Sequence, residues 1–93
     1  MPQNKIFKEC QKKWGEELQI KVAIEECAEL IKELAKFGRT INGSDSEKIA
    51  AEVADVEIML EELKIIFKFA ERVRHYKKIK LERLKILLES VQK

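Results

Sequence analysis

The sequence predicts an all-α fold, a helical bundle built on two long antiparallel central helices. Apolar residues recur with a helical period from Glu16 to the end of the chain, and no segment shows the alternation of a strand. Only three glycines and one proline interrupt the 93 residues, which favours long helices. A chain of this length forms one domain, so residues 1–93 are expected to fold as a single unit.

The first two helices are predicted from their periodicity and from the glycines that follow them. A short helix over residues 4–13 is expected to stop at Gly15, and a second helix is expected over residues 16–37. Gly38 occupies the place of a C-terminal glycine cap. The stretch 38–44, GRTINGS, is predicted to be a loop.

The last two helices are less sharply delimited. Ser44 followed by Glu47 has the spacing of a capping box, so a third helix should start near Asp45 and continue to about Ala70. A break is expected near Arg72, although neither glycine nor proline marks it. A fourth helix is predicted over residues 74–91.

Size and composition exclude several classes of protein for this chain. A chain of 10.9 kDa buries only about two-thirds of its unfolded surface, which favours completion of the bundle by self-association. With 39% charged and 45% hydrophobic residues, the chain is neither disordered nor a membrane protein. The N-terminal MPQNKIFKEC lacks the apolar region of a signal peptide. Cys10 and Cys27 form no zinc or disulfide pattern and are expected to be core residues. We therefore expect a cytoplasmic protein.

Charge is distributed unevenly along the chain. Residues 1–15 carry four basic groups and one acidic group, and residues 63–93 carry ten basic and three acidic groups. Residues 16–62, in contrast, carry five basic and thirteen acidic groups. This pattern has two interpretations, a cation site beside an anion site or ordinary solvated helix surfaces.

Four of these acids lie where apolar residues are expected. On a helical wheel at about 100° per residue, Glu26 falls inside the apolar arc of the second helix and Glu29 falls along its edge. Glu52 and Asp55 fall in the middle of the apolar face of the third helix. Each pair is three residues apart, about 4.5 Å along a helix, so both members can reach one ion.

Acids in such places need a partner, because burying an unpaired carboxylate costs several kcal/mol. Two carboxylate pairs facing each other across a helix interface provide only oxygen ligands, which suit Mg²⁺ first and Mn²⁺ next. A single histidine, His75, argues against zinc. The alternative is that the acids form ion pairs with Lys or Arg from the basic C-terminal segment.

The same residues form two motifs. Residues 25–29 read EECAE, an EExxE motif, and residues 52–55 read EVAD, an ExxD motif. In this order the chain resembles the MazG-like all-α nucleoside triphosphate pyrophosphohydrolases, particularly their small single-domain phage-type and bacterial members. The resemblance covers about residues 9–67.

The resemblance implies a function and roles for individual residues. Glu26, Glu29, Glu52 and Asp55 match the family's Mg²⁺ ligands, and Glu25 matches an acid that helps to hold a second metal or to position water. The implied reaction is (d)NTP plus water to (d)NMP plus pyrophosphate. Members of the family are dimers or dimers of dimers, which implies a homodimer or a homotetramer.

Other residues have weaker candidate roles. Trp14 either stacks on the substrate base or closes the core next to the acidic helix. Lys80 and Arg83 share one face of the last helix and either bind phosphates, from the same or a neighbouring subunit, or form a solvated surface. His75 is expected to have no function.

Two other functions stay open at this point. One is a phosphoribosyl-ATP pyrophosphohydrolase, which shares the implied chemistry. The other is a non-catalytic helical module that binds nucleotides or a partner. Binding of nucleic acid through the basic tail is unfavourable, because the acidic centre repels phosphates and no aromatic residues alternate with the basic ones.

Overall fold

The computed structural model describes residues 2–91 and confirms the all-α prediction. The described residues form four helices and no strand. The helices are α1 (Gln3–Trp14), α2 (Glu16–Ala35), α3 (Ser46–Ile66) and α4 (Ala70–Val91).

The turn between α1 and α2 depends on a glycine. Gly15 has φ 84°, a backbone conformation that L side chains rarely adopt, and its N–H donates to the carbonyl of Gln11 at 2.8 Å. This bond closes α1, and α2 begins at the next residue, Glu16. The predicted end of the first helix at Gly15 is confirmed.

The connection between α2 and α3 differs in detail from the prediction. Helix α2 ends at Ala35, two residues before the expected Phe37. The Ser44 N–H donates back to the Lys36 carbonyl at 3.1 Å, which closes the loop. Ser44 does not cap α3, because the Asp45 carboxylate accepts the Lys48 N–H at 2.9 Å and makes Asp45 the N-cap.

The break between α3 and α4 lies earlier than expected. Helix α3 ends at Ile66 rather than Ala70, and the turn covers residues 67–69 rather than the region of Arg72. Lys68 has φ 55°. The N–H groups of Lys68 and Phe69 donate to the carbonyls of Ile65 and Lys64, both at 3.3 Å. This is a Schellman ending with lysine in the usual place of glycine, which explains why the sequence did not reveal it.

Helices α2 and α3 form an antiparallel pair. Gln19 lies beside Glu62 near one end of the pair, and Phe37 lies beside Ser44 at the other. The buried hydrophobic residues lie on these two helices and on α1: Phe7, Ala23, Met59 and Ile66. The pair thus brings the acidic faces of α2 and α3 together, as predicted.

None of the helices in the described part of the chain combines the length and the apolar character that crossing a bilayer requires.

A buried carboxyl group lies within the α2–α3 interface. Glu62 is 2% exposed, and the Gln19 amide, oriented with its nitrogen towards Glu62, donates to both carboxylate oxygens at 2.8 and 2.9 Å. No Lys or Arg in residues 2–91 forms an ion pair with Glu62. Burial therefore raises the pKa of Glu62 above its ordinary value.

Replacing Glu62 with Gln should stabilise the protein at neutral and alkaline pH. Because its folded-state pKa is raised, the folded protein holds this proton more tightly than the unfolded chain, and stability falls as pH rises through the folded pKa. Glu62→Gln removes that loss, and we expect a gain of about 1 kcal/mol in the free energy of unfolding at pH 8. Urea unfolding of both proteins at pH 5 and pH 8 measures it.

The neighbouring Glu61 provides the matched control. Glu61 is exposed and pairs with Lys64 at 2.8 Å. Glu61→Gln should change the free energy of unfolding by less than about 0.5 kcal/mol at either pH. A loss of stability in Glu62→Gln at pH 8 would contradict the interpretation, because the Glu62 carboxylate would then stabilise the fold.

Candidate metal centre

Three carboxylates from two helices converge at the α2–α3 interface. Glu26 comes from α2, and Glu52 and Asp55 come from α3. Each side chain offers one carboxylate oxygen, and these oxygens all lie within 4.8 Å of one another. Three oxygens at such separations can contact one cation together.

Helix geometry explains why these side chains meet. Glu52 and Asp55 are three residues apart and therefore project from neighbouring turns of the same face of α3. The antiparallel pairing of α2 with α3 places Glu26 opposite this face. Glu26 and Glu52 are half-buried and Asp55 is exposed, so the group lies at the edge of the interface and is open to solvent.

The group is electrostatically unfavourable without a cation. Loss of hydration raises the pKa of Glu26, and the negative charges of Asp55 and Glu52 and a hydrogen bond with Asp55 raise it further. The pKa of Glu52 is raised by the same loss of hydration and then by the charge of Asp55. A bound cation relieves both effects, because it replaces lost hydration and screens the repulsion.

No Lys or Arg among the described residues pairs with the three converging carboxylates. Ion pairs in residues 2–91 join Glu33 to Lys36, Glu61 to Lys64 and Glu71 to Arg74, and none involves the converging carboxylates. In addition, the Glu52 Oε2 atom is shielded from solvent and has no hydrogen-bond partner. The predicted alternative of ion pairs with the basic segment is therefore not realised within the described chain.

The donor set fits a hard divalent cation. All ligand atoms are carboxylate oxygens, which Mg²⁺ and Mn²⁺ prefer, and three protein ligands leave room for waters or phosphate oxygens. The described residues offer no other group of three or more His, Cys, Asp or Glu side chains that could hold an ion together.

The other two acids of the EExxE motif lie outside this group. Glu29 is exposed on α2 and is not among the converging ligands, although its negative charge raises the pKa of both Glu26 and Glu52. Glu25 is exposed on α2 and is not among the converging ligands.

The predicted substrate-binding residues are exposed. Trp14 ends α1 with half of its surface exposed, and the Lys13 ammonium lies 5.1 Å from the centre of its ring. Trp14 is thus not a core residue. Lys80 and Arg83 are exposed on α4. Their roles in base stacking and phosphate binding stay predictions.

One buried acid on the same face of α3, Glu62, is not among the predicted site residues. Glu62 follows Asp55 by seven residues, a spacing of two helical turns that could have revealed it. Its partner, Gln19, could not be identified from sequence, because the pairing depends on the register between α2 and α3.

Comparisons with family models, curated proteins and solved structures find no match for this chain. The MazG-like resemblance therefore stays a hypothesis carried by the two motifs.

Proposed function

We propose that the chain is a Mg²⁺-dependent nucleoside triphosphate pyrophosphohydrolase that converts (d)NTP and water to (d)NMP and pyrophosphate. The observation that carries the proposal is the convergence of Glu26, Glu52 and Asp55 with no cationic partner from the described chain. The EExxE and ExxD motifs of the MazG-like proteins, which contain these residues, support the choice of substrate.

In this proposal the carboxylates bind and orient the reactants. Glu26, Glu52 and Asp55 would hold Mg²⁺, or Mn²⁺ as the next candidate, and Glu29 would add negative charge to the site. A bound divalent ion stabilises charge developing at phosphorus and lowers the pKa of a coordinated water. Glu25 orients the attacking water or helps to hold a second ion.

The proposed reaction is an in-line displacement at the α-phosphorus. The water oxygen forms a bond to the α-phosphorus, and the bond from that phosphorus to the bridging oxygen of the β-phosphate breaks. The electron pair of the broken bond leaves with pyrophosphate, and the proton of the water is lost to solvent or to a nearby carboxylate. The products are a nucleoside monophosphate and pyrophosphate.

The proposal also assigns substrate contacts to three residues outside the carboxylate group. Trp14 stacks on the base, and Lys80 and Arg83 bind phosphate oxygens, from the same or a neighbouring subunit. The protein acts in the cytoplasm as a homodimer or homotetramer.

Product analysis with a panel of nucleotides tests the proposal. The purified protein is incubated with each NTP, each dNTP and phosphoribosyl-ATP in the presence of Mg²⁺, Mn²⁺ or EDTA. We expect equal amounts of monophosphate and pyrophosphate with at least one (d)NTP, and none in EDTA. Release of inorganic phosphate together with a nucleoside diphosphate would contradict attack at the α-phosphorus. Turnover of phosphoribosyl-ATP alone would replace the substrate assignment, and no turnover of any compound would contradict the enzymatic function.

A further inference from the structure

The register between α2 and α3 repeats along the pair. Gln19 lies beside Glu62, and Glu26, seven residues further along α2, meets Asp55, seven residues earlier on α3. Seven residues are about two helical turns, so the same faces of the two helices meet again at each such interval. The residues on either side of the converging carboxylates follow from this register.

On one side the interface is closed. Ala23 and Met59 lie between the converging carboxylates and the pair of Gln19 with Glu62, and they are 5% and 7% exposed. Glu62 is buried more deeply still. A phosphate group that extended from the carboxylates in this direction would have to enter a packed interface.

On the other side, towards the loop between α2 and α3, the interface is open and carries a lysine. The next interval of seven residues places Lys48 opposite Glu33. On a helical wheel Lys48 lies within about 40° of both Glu52 and Asp55, and it precedes Glu52 by about 6 Å along α3. Asp55 and Lys48 are both exposed, so solvent reaches this side of the carboxylates.

The Lys48 ammonium forms none of the ion pairs in residues 2–91. Glu33, the acid opposite, pairs with Lys36 at 3.5 Å. A hydrogen bond with Ser44 and the charges of Lys36 and Lys48 lower the pKa of Glu33, which places the Lys48 charge near this carboxylate. The Asp45 carboxylate accepts the backbone N–H of Lys48 at 2.9 Å rather than its ammonium. The charge of Lys48 is therefore available to an anion that enters from solvent.

The stability of α3 gives no reason for a lysine at this position. Lys48 lies in the first turn of the helix, which begins at Ser46. The N-terminal end of a helix carries partial positive charge, so a cation there is unfavourable. Replacing Lys48 with a neutral residue should consequently leave the Tm unchanged or raise it.

We propose that Lys48 binds the β- and γ-phosphates of the nucleoside triphosphate, so that the phosphate chain runs from the converging carboxylates towards the loop between α2 and α3. This inference rests on the proposed function and adds the direction in which the substrate lies. The ammonium offers three N–H donors and a compact positive charge to phosphate oxygens. When the bond to the α-phosphorus breaks, Lys48 stabilises the negative charge that develops on the leaving pyrophosphate.

Binding of inorganic tripolyphosphate tests the inference without turnover and without a choice of base. Titration calorimetry in Mg²⁺ gives the Kd of the wild type and of each variant. Lys48→Gln should raise the Kd at least about tenfold, because it removes a charge-assisted contact. Lys48→Arg keeps the charge and should stay within about threefold of the wild type. Thermal unfolding followed by circular dichroism shows that the variants keep their fold.

Lys32 provides the matched control. It is exposed on α2 and forms no ion pair among the described residues. It lies about 120° around the helix from Glu26 and therefore faces away from the carboxylates. Lys32→Gln removes the same charge as Lys48→Gln but should change the Kd by less than about twofold, because solvent screens its charge.

Three outcomes would overturn the inference: no binding of tripolyphosphate by the wild type, an unchanged Kd in Lys48→Gln, and an equal rise in Kd in Lys32→Gln. Kinetics add a second readout, because Lys48→Gln should raise the KM for the triphosphate and weaken inhibition by pyrophosphate. Binding that depends on Lys48 in a protein without turnover would support the phosphate contact while contradicting the hydrolytic function, so the two failures are distinguishable.

Discussion

Glu52→Gln combined with Asp55→Asn is expected to lower kcat/KM for nucleoside triphosphate hydrolysis by at least about 10³-fold. These residues supply two of the three converging ligand oxygens. The substitutions keep the shape of both side chains but remove the charges that hold a divalent cation. Loss of a metal that stabilises the transition state by several kcal/mol corresponds to such a factor, at about 1.4 kcal/mol for each tenfold change. Pyrophosphate release measures it.

A matched variant separates this effect from a general loss of negative charge. Glu82 and Glu89 are exposed on α4 and have no ion pair among the described residues. Glu82→Gln with Glu89→Gln removes the same number of charges and should retain at least half of the wild-type activity. Equal losses in the two double variants, or full activity in the Glu52/Asp55 variant, would contradict the assignment of the metal ligands.

Mg²⁺ is expected to raise the thermal stability of the wild type without any substrate. A metal present at ten times its Kd stabilises the folded state by about 1.4 kcal/mol, which raises the Tm of a domain of this size by about 5–10 °C. Relief of repulsion between Glu26, Glu52 and Asp55 is the physical reason. Thermal unfolding followed by circular dichroism, with Mg²⁺ and with NaCl of matched ionic strength, measures it.

The rise in Tm that Mg²⁺ causes should become smaller as pH falls. The pKa values of Glu26 and Glu52 are raised in the folded state, so the folded protein binds more protons than the unfolded chain as pH falls towards these values. These two groups therefore contribute more to the stability of the metal-free protein as pH falls. Protons also compete with Mg²⁺, so the metal-induced rise in Tm should shrink as pH is lowered from 7.5 to 5.

Glu52→Gln provides the internal check. It should be more stable than the wild type in EDTA at pH 7.5, because it removes one of the repelling charges, and it should gain less from Mg²⁺. An equal rise in Tm for wild type and variant would place the stabilising ion elsewhere and would contradict the metal centre even if hydrolysis were observed.

Much of the secondary structure could be predicted from local patterns. Helical periodicity and the scarcity of glycine and proline predict four helices, and Gly15 marks the end of the first because a positive φ favours glycine. The sequence predicts that α3 ends later than it does. The reason is that Lys68, and not a glycine, adopts the positive φ that ends the helix. The residues on either side of Lys68, Phe67 and Phe69, stack their rings with 5.3 Å between centres.

The candidate site likewise combines features that local sequence patterns predict with features that they do not. Spacing alone places Glu52 and Asp55 on one face of α3 and Glu26 inside the apolar arc of α2, because side-chain direction in a helix repeats every 3.6 residues. Only the tertiary structure decides that Glu26 meets both α3 acids whereas Glu29 stays outside, because this depends on how far α2 slides along α3. Wheel position likewise did not reveal that Asp55 is exposed.

The sequence by itself determined the helices, their amphipathic faces and the acids that lie on the wrong side of them, since all three follow from residues within a few positions of one another. The tertiary structure alone decided the register of α2 on α3, the pairing of Gln19 with Glu62 and the exposure of the leucines on the second half of α4. These features join residues far apart in the chain, and their geometry depends on the packing of whole helices rather than on local spacing.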